Sequence, residues 1–497
     1  MAYASILTAT NFGIETLAVS VEVDLRPGLP QFKIIGLPDK QIDEARERVK
    51  SAIKNSGLEF PNGRLTVNLS PSDLPKSGTG FDLAIALAIL SATRGRSLLP
   101  EKYAAFGELG LDGRLLSFQR LVALLIGSRQ VIRGCAVPLA SCQFPLPELP
   151  ILAASSLREM VNRLETKQLF RTALPQSVHS FKRSEFQIDR IYGQLPAKRA
   201  LVISLAGGHN LFLSGPPGAG KTMLAQAANE LLPNLTSSES LETFSLQSLV
   251  AHHQQLPVAR PPVQAPHHSI SLRAMLGGGT ELLPGVLSLA HNGLLFLDEF
   301  PEFRRDVREG LRQPLQERCV RLFRAGRTWN LPADCLVIAA QNDCPCGMFG
   351  TPRCVCSMGE LLQYQKKISQ PLLDRFALFA EVPRLEADGL QSEVIGPTGL
   401  ELAEQIVAAR QTQCLRQLGK LNGRIQSREI ERTIPLIPFM REILQKAQAA
   451  YGLSARGMQS LLTVSRTIAD LAHEPEVLAQ HLQEALQYRR RVFMDTG

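Results

Sequence analysis

The sequence predicts a multidomain α/β chain: an α+β segment over residues 1–170, a parallel-sheet core over 185–385 and a helical segment over 398–497. Three observations predict it. Gly215-Pro216-Pro217-Gly218-Ala219-Gly220-Lys221-Thr222 follows the apolar run Leu211-Phe212-Leu213 and precedes Met223-Leu224-Ala225-Gln226-Ala227-Ala228, which reads as helix. Leu294-Leu295-Phe296-Leu297 is a wholly apolar short run, the pattern of a strand buried on both faces of a parallel sheet, and it ends in Asp298-Glu299. Past residue 398 the chain reads as four helices, at 400–416, 437–450, 455–472 and 476–493.

The first segment alternates β-rich runs with turn chemistry. Residues 18–24 have period two, Arg26-Pro27-Gly28-Leu29-Pro30 turns the chain, and residues 32–35 are a second strand. Residues 39–55 read as a helix with Ile42, Ala45, Val49 and Ile53 on one face and Gly57 past its end. Residues 65–69 are a strand and 81–92 an apolar helix. A polar, irregular stretch at 165–190 forms a linker, and a helix over 196–206 leads into the core. A second break, at 384–397, is poor in large apolar residues and precedes the helical segment.

Strand, glycine-rich turn and helix make the pattern G-x-x-x-x-G-K-[ST] a phosphate cradle. Gly215, Gly218 and Gly220, with Pro216, Pro217 and Ala219 between them, let backbone N–H groups close around phosphate, and the helix N-terminus adds its dipole. Lys221 reaches the β- and γ-phosphates, and the Thr222 hydroxyl ligates Mg²⁺. Asp298, at a strand's C-terminal end, holds the Mg²⁺ water shell, and Glu299 polarises the attacking water. ATP and Mg²⁺ are the expected cofactors, and nucleotide hydrolysis the expected chemistry.

Composition narrows the setting. The chain has 497 residues, 44% hydrophobic and 20% charged, a globular balance too long for one core. It contains no uncharged apolar run long enough to cross a membrane and no secretion signal, so a cytoplasmic location is expected. A net charge of +8 suits a polyanionic partner without demanding one. Four of the nine cysteines are Cys344, Cys346, Cys354 and Cys356. Two C-x-C pairs suit tetrahedral Zn²⁺ in a closed structural site, with Gly347, Gly350 and Pro352 supplying the turn; free thiols in a loop are the alternative.

Gly207-Gly208-His209-Asn210, Ala-Pro-His-His-Ser-Ile-Ser at 265–271, Ser-Leu-Ala-His-Asn-Gly at 288–293 and Pro-Leu-Leu-Asp-Arg-Phe at 371–376 resemble the ComM/YifB family of magnesium-chelatase-like AAA+ ATPases, over nearly the whole chain. The resemblance implies a ring, hexameric by expectation, that moves on single-stranded or branched DNA. It implies helicase-like branch migration while incoming DNA is recombined in natural transformation. The stretch from Leu74 to Asp82, with Gly107-Glu108-Leu109 and Gly113-Arg114-Leu115, resembles Lon-type proteases. Aligned to them, the nucleophile position falls at Gly80 and the lysine position near Val122; Ser77 and Thr79 are nearby hydroxyls, and no lysine follows Arg120 until Lys167. A Lon-like domain without the catalytic dyad is expected.

Further site residues follow from the same resemblance. Gln341-Asn342 closes the apolar run 335–340, so Asn342 is the expected first sensor of the γ-phosphate, or else an asparagine in a turn. Arg375 is placed as a finger acting across the subunit boundary, or as a surface arginine paired with Asp374. Arg456, opening the third terminal helix, resembles the second sensor in a lid over the nucleotide, although Ser460 stands where the family has another arginine. Residues 321–328 read as a β-hairpin with Gly326 at its tip, where Arg324 and Arg327 follow DNA phosphates or form a solvated basic turn. His252, His253, His267 and His268 are adjacent pairs that cannot share a helical face, so they belong to a loop contacting DNA or a neighbour. Arg260-Pro261-Pro262-Val263 departs from the family's Arg-Pro-Phe-Arg, and Tyr488-Arg489-Arg490-Arg491 reads as a solvated helix end. An ATP-driven DNA translocase leads; an AAA+ protein remodeller or metal-chelatase motor subunit is the alternative, since the core motifs serve any cargo.

Overall fold

The computed structural model describes residues 2–489 except 13–14, 38, 73–75, 77, 79, 119, 144–148, 167–169, 173–185, 251–258, 280–281, 325–326, 385–395 and 436–437. The chain packs into two units. The first comprises Met1–His179 with Ser237–Val258 and Thr280–Leu283; the second comprises Ser180–Thr236, Ala259–Gly279 and Pro284–Gly497.

An eight-stranded mixed sheet organises the first unit. Its strands are β1 (Ala2–Phe12), β2 (Glu15–Arg26), β3 (Gln31–Ile35), β4 (Arg64–Ser70), β5 (Tyr103–Ala105), β6 (Gly134–Pro138), β7 (Pro150–Ala154) and β8 (Arg171–Thr172). Their spatial order is β8-β7-β6-β5-β1-β2-β4-β3. The alternation read in residues 18–24 puts Val19, Val21 and Val23 in the core. Helix α1 (Lys40–Asn55) buries Ile42, Ala45, Val49 and Ile53, and Asp39 is its N-cap, its carboxylate accepting from the Ile42 N–H at 2.9 Å. Helix α2 (Asp82–Arg94) is buried on all sides for most of its length, and Arg48 of α1 reaches Asp82 with two hydrogen bonds, at 2.9 and 3.1 Å. β1 carries little sequence signal of its own: Ile6 is buried there, but the other buried residues, Ala4, Thr8, Ala9 and Thr10, are small or hydroxylic and do not read as a hydrophobic alternation. A helix over Ser237–Ser248 joins this unit, where it packs on the helix Leu121–Ser128.

At Gly80 a Cβ would stand 2.4 Å from the Phe118 ring, so a serine there would require that ring to shift, and Val122 is buried. Ser77 and Thr79 lie outside the described residues. Most of the polar linker and of the stretch 384–397 lies outside them too.

In the second unit five parallel strands form the core: β9 (Leu211–Ser214), β10 (Val263–Gln264), β11 (Leu294–Leu297), β12 and β13 being a separate hairpin (Cys319–Arg324 and Arg327–Pro332), β14 (Leu336–Gln341) and β15 (Leu378–Glu381). The order β10-β11-β14-β9-β15 places β9 inside the sheet, and the apolar runs predicted for β9, β11 and β14 are almost wholly buried. Helices α3 (Leu195–Gly207) and α4 (Lys221–Leu231) flank β9 in sequence. The four helices expected in the terminal segment are α5 (Gly399–Arg416), α6 (Pro438–Tyr451), α7 (Ala455–Leu471) and α8 (Ala479–Gln487), and a further short helix over Ser427–Thr433 lies between α5 and α6. α8 is shorter than the sequence suggests. Arg489 just beyond it is not solvated: its guanidinium donates to the Ala377 carbonyl at 3.0 Å.

One buried charge cluster joins the terminal helices. Asp470 of α7 accepts two hydrogen bonds from Arg416 of α5, at 2.7 and 2.8 Å, one from Arg466 at 3.1 Å and one from Asn422 at 2.8 Å. Arg466 is itself buried, so removing the carboxylate strands a cation in the interior. Asp470→Ala is expected to cost ~3–5 kcal/mol in the unfolding transition of the second unit, read by denaturant titration.

Candidate nucleotide site

Because β9, β10, β11 and β14 are parallel, their C-terminal ends open at one edge, where ligands bind such sheets. β9 delivers the glycine-rich loop. Gly215 has φ +155° and a Cβ there would meet the Val382 carbonyl oxygen at 2.1 Å, so only glycine fits; Gly218 and Gly220 take φ of +75° and +99°. Lys221 begins α4 and is 8% exposed. Its ammonium donates to the carbonyls of Gly215 (2.6 Å) and Pro216 (2.9 Å) and to Asn342 Oδ1 (3.1 Å). Burial lowers its pKa, opposed by the charges of Asp343, Asp298 and Glu299.

β11 delivers the acids. The Thr222 hydroxyl donates to Asp298 Oδ2 at 3.0 Å, and Asp298 Oδ1 accepts the Glu299 N–H at 2.9 Å. A hydroxyl beside a carboxylate at a helix N-terminus fits Mg²⁺, which takes few protein oxygens and keeps waters. Glu299 sits at φ +50°, a strained backbone for a non-glycine residue, with its carboxylate largely exposed. Lys221, Thr222, Asp298, Glu299 and Asn342 are thus brought together.

His268 stands 3.6 Å from the Glu299 carboxylate, and the His267 ring lies over it with centroids 4.0 Å apart. The adjacent pairs predict a loop facing DNA or a neighbour; His268 of that loop stands beside Glu299. The signal was available in β10: a strand parallel to β11 must end at the same edge. His252 and His253 lie outside the described residues.

Arg375 and Arg456 are elsewhere. Arg375 donates to Gln316 Oε1 (2.9 Å) and to the carbonyls of Pro371 (3.0 Å) and Arg312 (3.3 Å). Asp374 does not pair with it and accepts from Ser454 and Gln370. Arg456, near the start of α7, lines the same cavity of about 440 Å³ as Arg375, together with Arg318 and Arg424. No residue of the phosphate loop lines that cavity. Burial pushes the Arg318 pKa down to about 10, which marks a crowded cationic surface. On the β12–β13 hairpin Arg324 and Arg327 pair in register, and Phe323 is 78% exposed.

The four cysteines converge. Cys344 Sγ lies 3.4 Å from Cys346 and 4.0 Å from Cys354, Cys346 lies 3.7 Å from Cys354, and all four sulfurs fall within 4.8 Å of one another. Zn–S bonds of about 2.3 Å in a tetrahedron put sulfurs ~3.8 Å apart, so the set fits Zn²⁺ with every position filled. Backbone N–H groups of Met348 and Val355 hold the Cys346 thiol down to about 6. This loop touches the phosphate loop: a Cβ on Gly347 would meet the Pro217 ring at 2.5 Å.

Three family models match the chain: magnesium chelatase subunit ChlI over residues 187–390, subunit ChlI of Mg-chelatase over 21–141, and the ChlI C-terminal region over 397–489. Competence protein ComM of Haemophilus influenzae is 38% identical over 501 residues, covering 99% of this chain and 98% of the relative. The chain belongs to the ComM/YifB family. The uncharacterized protein YifB of Escherichia coli is 38% identical over 497 residues, 98% of this chain and 97% of its own length. DNA replication licensing factor Mcm2 of Drosophila melanogaster is 26% identical over 217 residues, 41% of this chain and 21% of that protein. The parallel sheet, phosphate loop and terminal helices fit an AAA+ core of magnesium-chelatase type.

The cysteine geometry generates one prediction. Metal analysis of protein purified without chelator is expected to find about one zinc per chain, and Cys354→Ser to lose it with lowered thermal stability. Nucleotide affinity should largely survive, because Lys221 and Thr222 do not depend on a sulfur ligand. Zinc-free protein of unchanged stability would remove the site.

Proposed function

We propose that this protein is an ATP-driven ring motor on DNA, acting by helicase-like branch migration during recombination of incoming DNA. The observation that carries the reading is the separation of the arginines from the phosphate loop. Lys221, Thr222, Asp298, Glu299 and Asn342 form one site, while Arg375 and Arg456 line a cavity that this site does not share. Hydrolysis at useful rates calls for a cation on the transferring phosphoryl group, so the arginines serve the nucleotide of an adjoining copy. That makes a closed ring, hexameric in our reading, the active form.

The chemistry divides among the residues. Lys221 is placed to exchange its carbonyl partners for the β- and γ-phosphates, and Thr222 and Asp298 would hold Mg²⁺, which would supply charge neutralisation for the phosphates. Glu299 orients and polarises water, with His268 3.6 Å from its carboxylate, and Asn342 ties the sensor strand to Lys221.

DNA as cargo is supported by the competence protein and licensing factor among the relatives, by the net charge of +8, and by the hairpin. Its exposed Phe323 beside Arg324 and Arg327 offers a stacking face next to phosphate-binding positions. The magnesium-chelatase family models favour a second reading, a motor for metal insertion or protein remodelling. We read the first unit as a Lon-like domain without proteolysis, consistent with the Phe118 ring against Gly80. ATP-dependent unwinding of forked or four-way DNA by the purified protein decides between the cargoes; ATP turnover without strand movement would favour the second reading.

Lys221→Ala should lower ATP turnover by about two orders of magnitude or more and weaken nucleotide binding. Glu299→Gln should keep binding and lose turnover by about 10²–10⁴. A Glu299→Gln protein with normal steady-state ATPase would exclude Glu299 as the base. Arg375→Ala should be equally inactive alone, yet regain partial activity when mixed with Glu299→Gln protein, because some boundaries then pair an intact Glu299 with an intact Arg375. No recovery at any mixing ratio would place Arg375 in its own subunit's chemistry.

A further inference from the structure

The Gly-Gly-His-Asn segment lies at the opposite end of β9 from the phosphate loop, and its side chains reach toward the arginines. Asn210 Nδ2 donates to the Arg375 carbonyl at 3.0 Å, and Asn210 Oδ1 accepts the Val337 N–H of β14 at 3.0 Å. Its own carbonyl accepts the N–H groups of Ala377 (3.0 Å) and Leu378 (3.2 Å). One residue therefore binds the turn that carries Arg375 to β14, the strand that Asn342 follows. Next along the chain, the Phe212 ring packs edge-on against Phe376, centroids 5.2 Å apart.

His209 makes the matching contact to the other arginine's helix. It is 2% exposed, and its Nε2 lies 2.7 Å from Thr467 Oγ1 of α7. The Thr467 hydroxyl donates to the Thr463 carbonyl, and its oxygen accepts from Asn422 Nδ2 at 3.0 Å and, with its second lone pair, from the imidazole. Burial holds the His209 pKa down to about 3, which keeps the ring neutral. Arg456, Ser460, Thr463 and Thr467 fall on one face of α7, and the first three line the arginine cavity. Holding Thr467 holds the face that presents Arg456. The glycines make this possible: a Cβ on Gly207 would stand 2.2 Å from the His209 ring and 2.5 Å from Thr467 Oγ1, and Gly208 takes φ +67°.

We propose that His209 and Asn210 are positioning residues through which a subunit sets both Arg375 and Arg456 from the strand that ends in its own phosphate loop. β9 is a buried four-residue strand, so a displacement of the loop passes along it as a rigid shift over ~13 Å. Occupancy of one nucleotide site is thereby transmitted to the arginines offered to the next. The proposal rests on the reading of Arg375 and Arg456 as residues acting across a subunit boundary.

Asn210→Asp tests it, since the carboxylate keeps an acceptor for the Val337 N–H but loses the donor to the Arg375 carbonyl. The expected result is a fall in kcat of about ten- to a hundredfold with ATP affinity unchanged. Mixing with Glu299→Gln protein should restore activity, because the Asn210→Asp subunit keeps a sound phosphate loop and borrows a neighbour's arginines. A merely structural defect would weaken ATP binding and show no recovery, and either result would overturn the proposal. Should Asn210→Asp not fold, Thr467→Val applies the same two measurements to the arm that holds Arg456. If Arg375→Ala and Arg456→Ala both hydrolyse ATP normally, the reading of the arginines fails. If they are inactive while Asn210→Asp is normal, the positioning role alone fails.

Discussion

The Lys221 ammonium sets the terms for the rest of the second unit. A cation at 8% exposure needs oxygens, and it takes two carbonyls from its own loop and one amide oxygen from Asn342. That contact requires β9 and β14 to run parallel and to end at the same edge. The same requirement brings Asp298 and Glu299 from β11 and His268 from beyond β10. Parallel strands need long crossovers, so residues that meet here are separated by scores of positions in sequence.

The four-cysteine loop leaves that edge just after Asn342 and folds back onto it. It has little apolar interior: Phe349, Val355 and Met358 are each more than half exposed. A segment without a core gains order from metal ligation or not at all, which is the physical case for zinc here. Gly347 of this loop lies against the Pro217 ring of the phosphate loop.

Much of the fold was legible where periodicity was strong. The valines of β2, the apolar face of α1 and the uniform runs of β9, β11 and β14 each mapped onto burial. β1 was not legible, because alanine and threonine bury in a sheet without contrast between its faces. Nor was the membership of the helix Ser237–Ser248 in the first unit, since its residues are evenly mixed in polarity and only a distant partner decides where it packs. His268 was read from its pair spacing alone, whereas its neighbour Glu299 comes from a different strand.

What the sequence by itself determined is the chemistry. A glycine-rich loop with Lys221 and Thr222, an apolar strand ending in two acids, and four spaced thiols each carry their ligand preference in residue type and short spacing. Tertiary structure decided where the arginines stand: Arg375 and Arg456 line one cavity that no phosphate-loop residue shares. Arg456 reads in sequence as part of a lid over its own site. Its direction is fixed by the packing of α7 against His209 and by the buried Asp470 cluster, which turn that helix face toward Arg375. The first of those contacts joins residues 258 positions apart, a distance across which periodicity and local propensity carry no orientation.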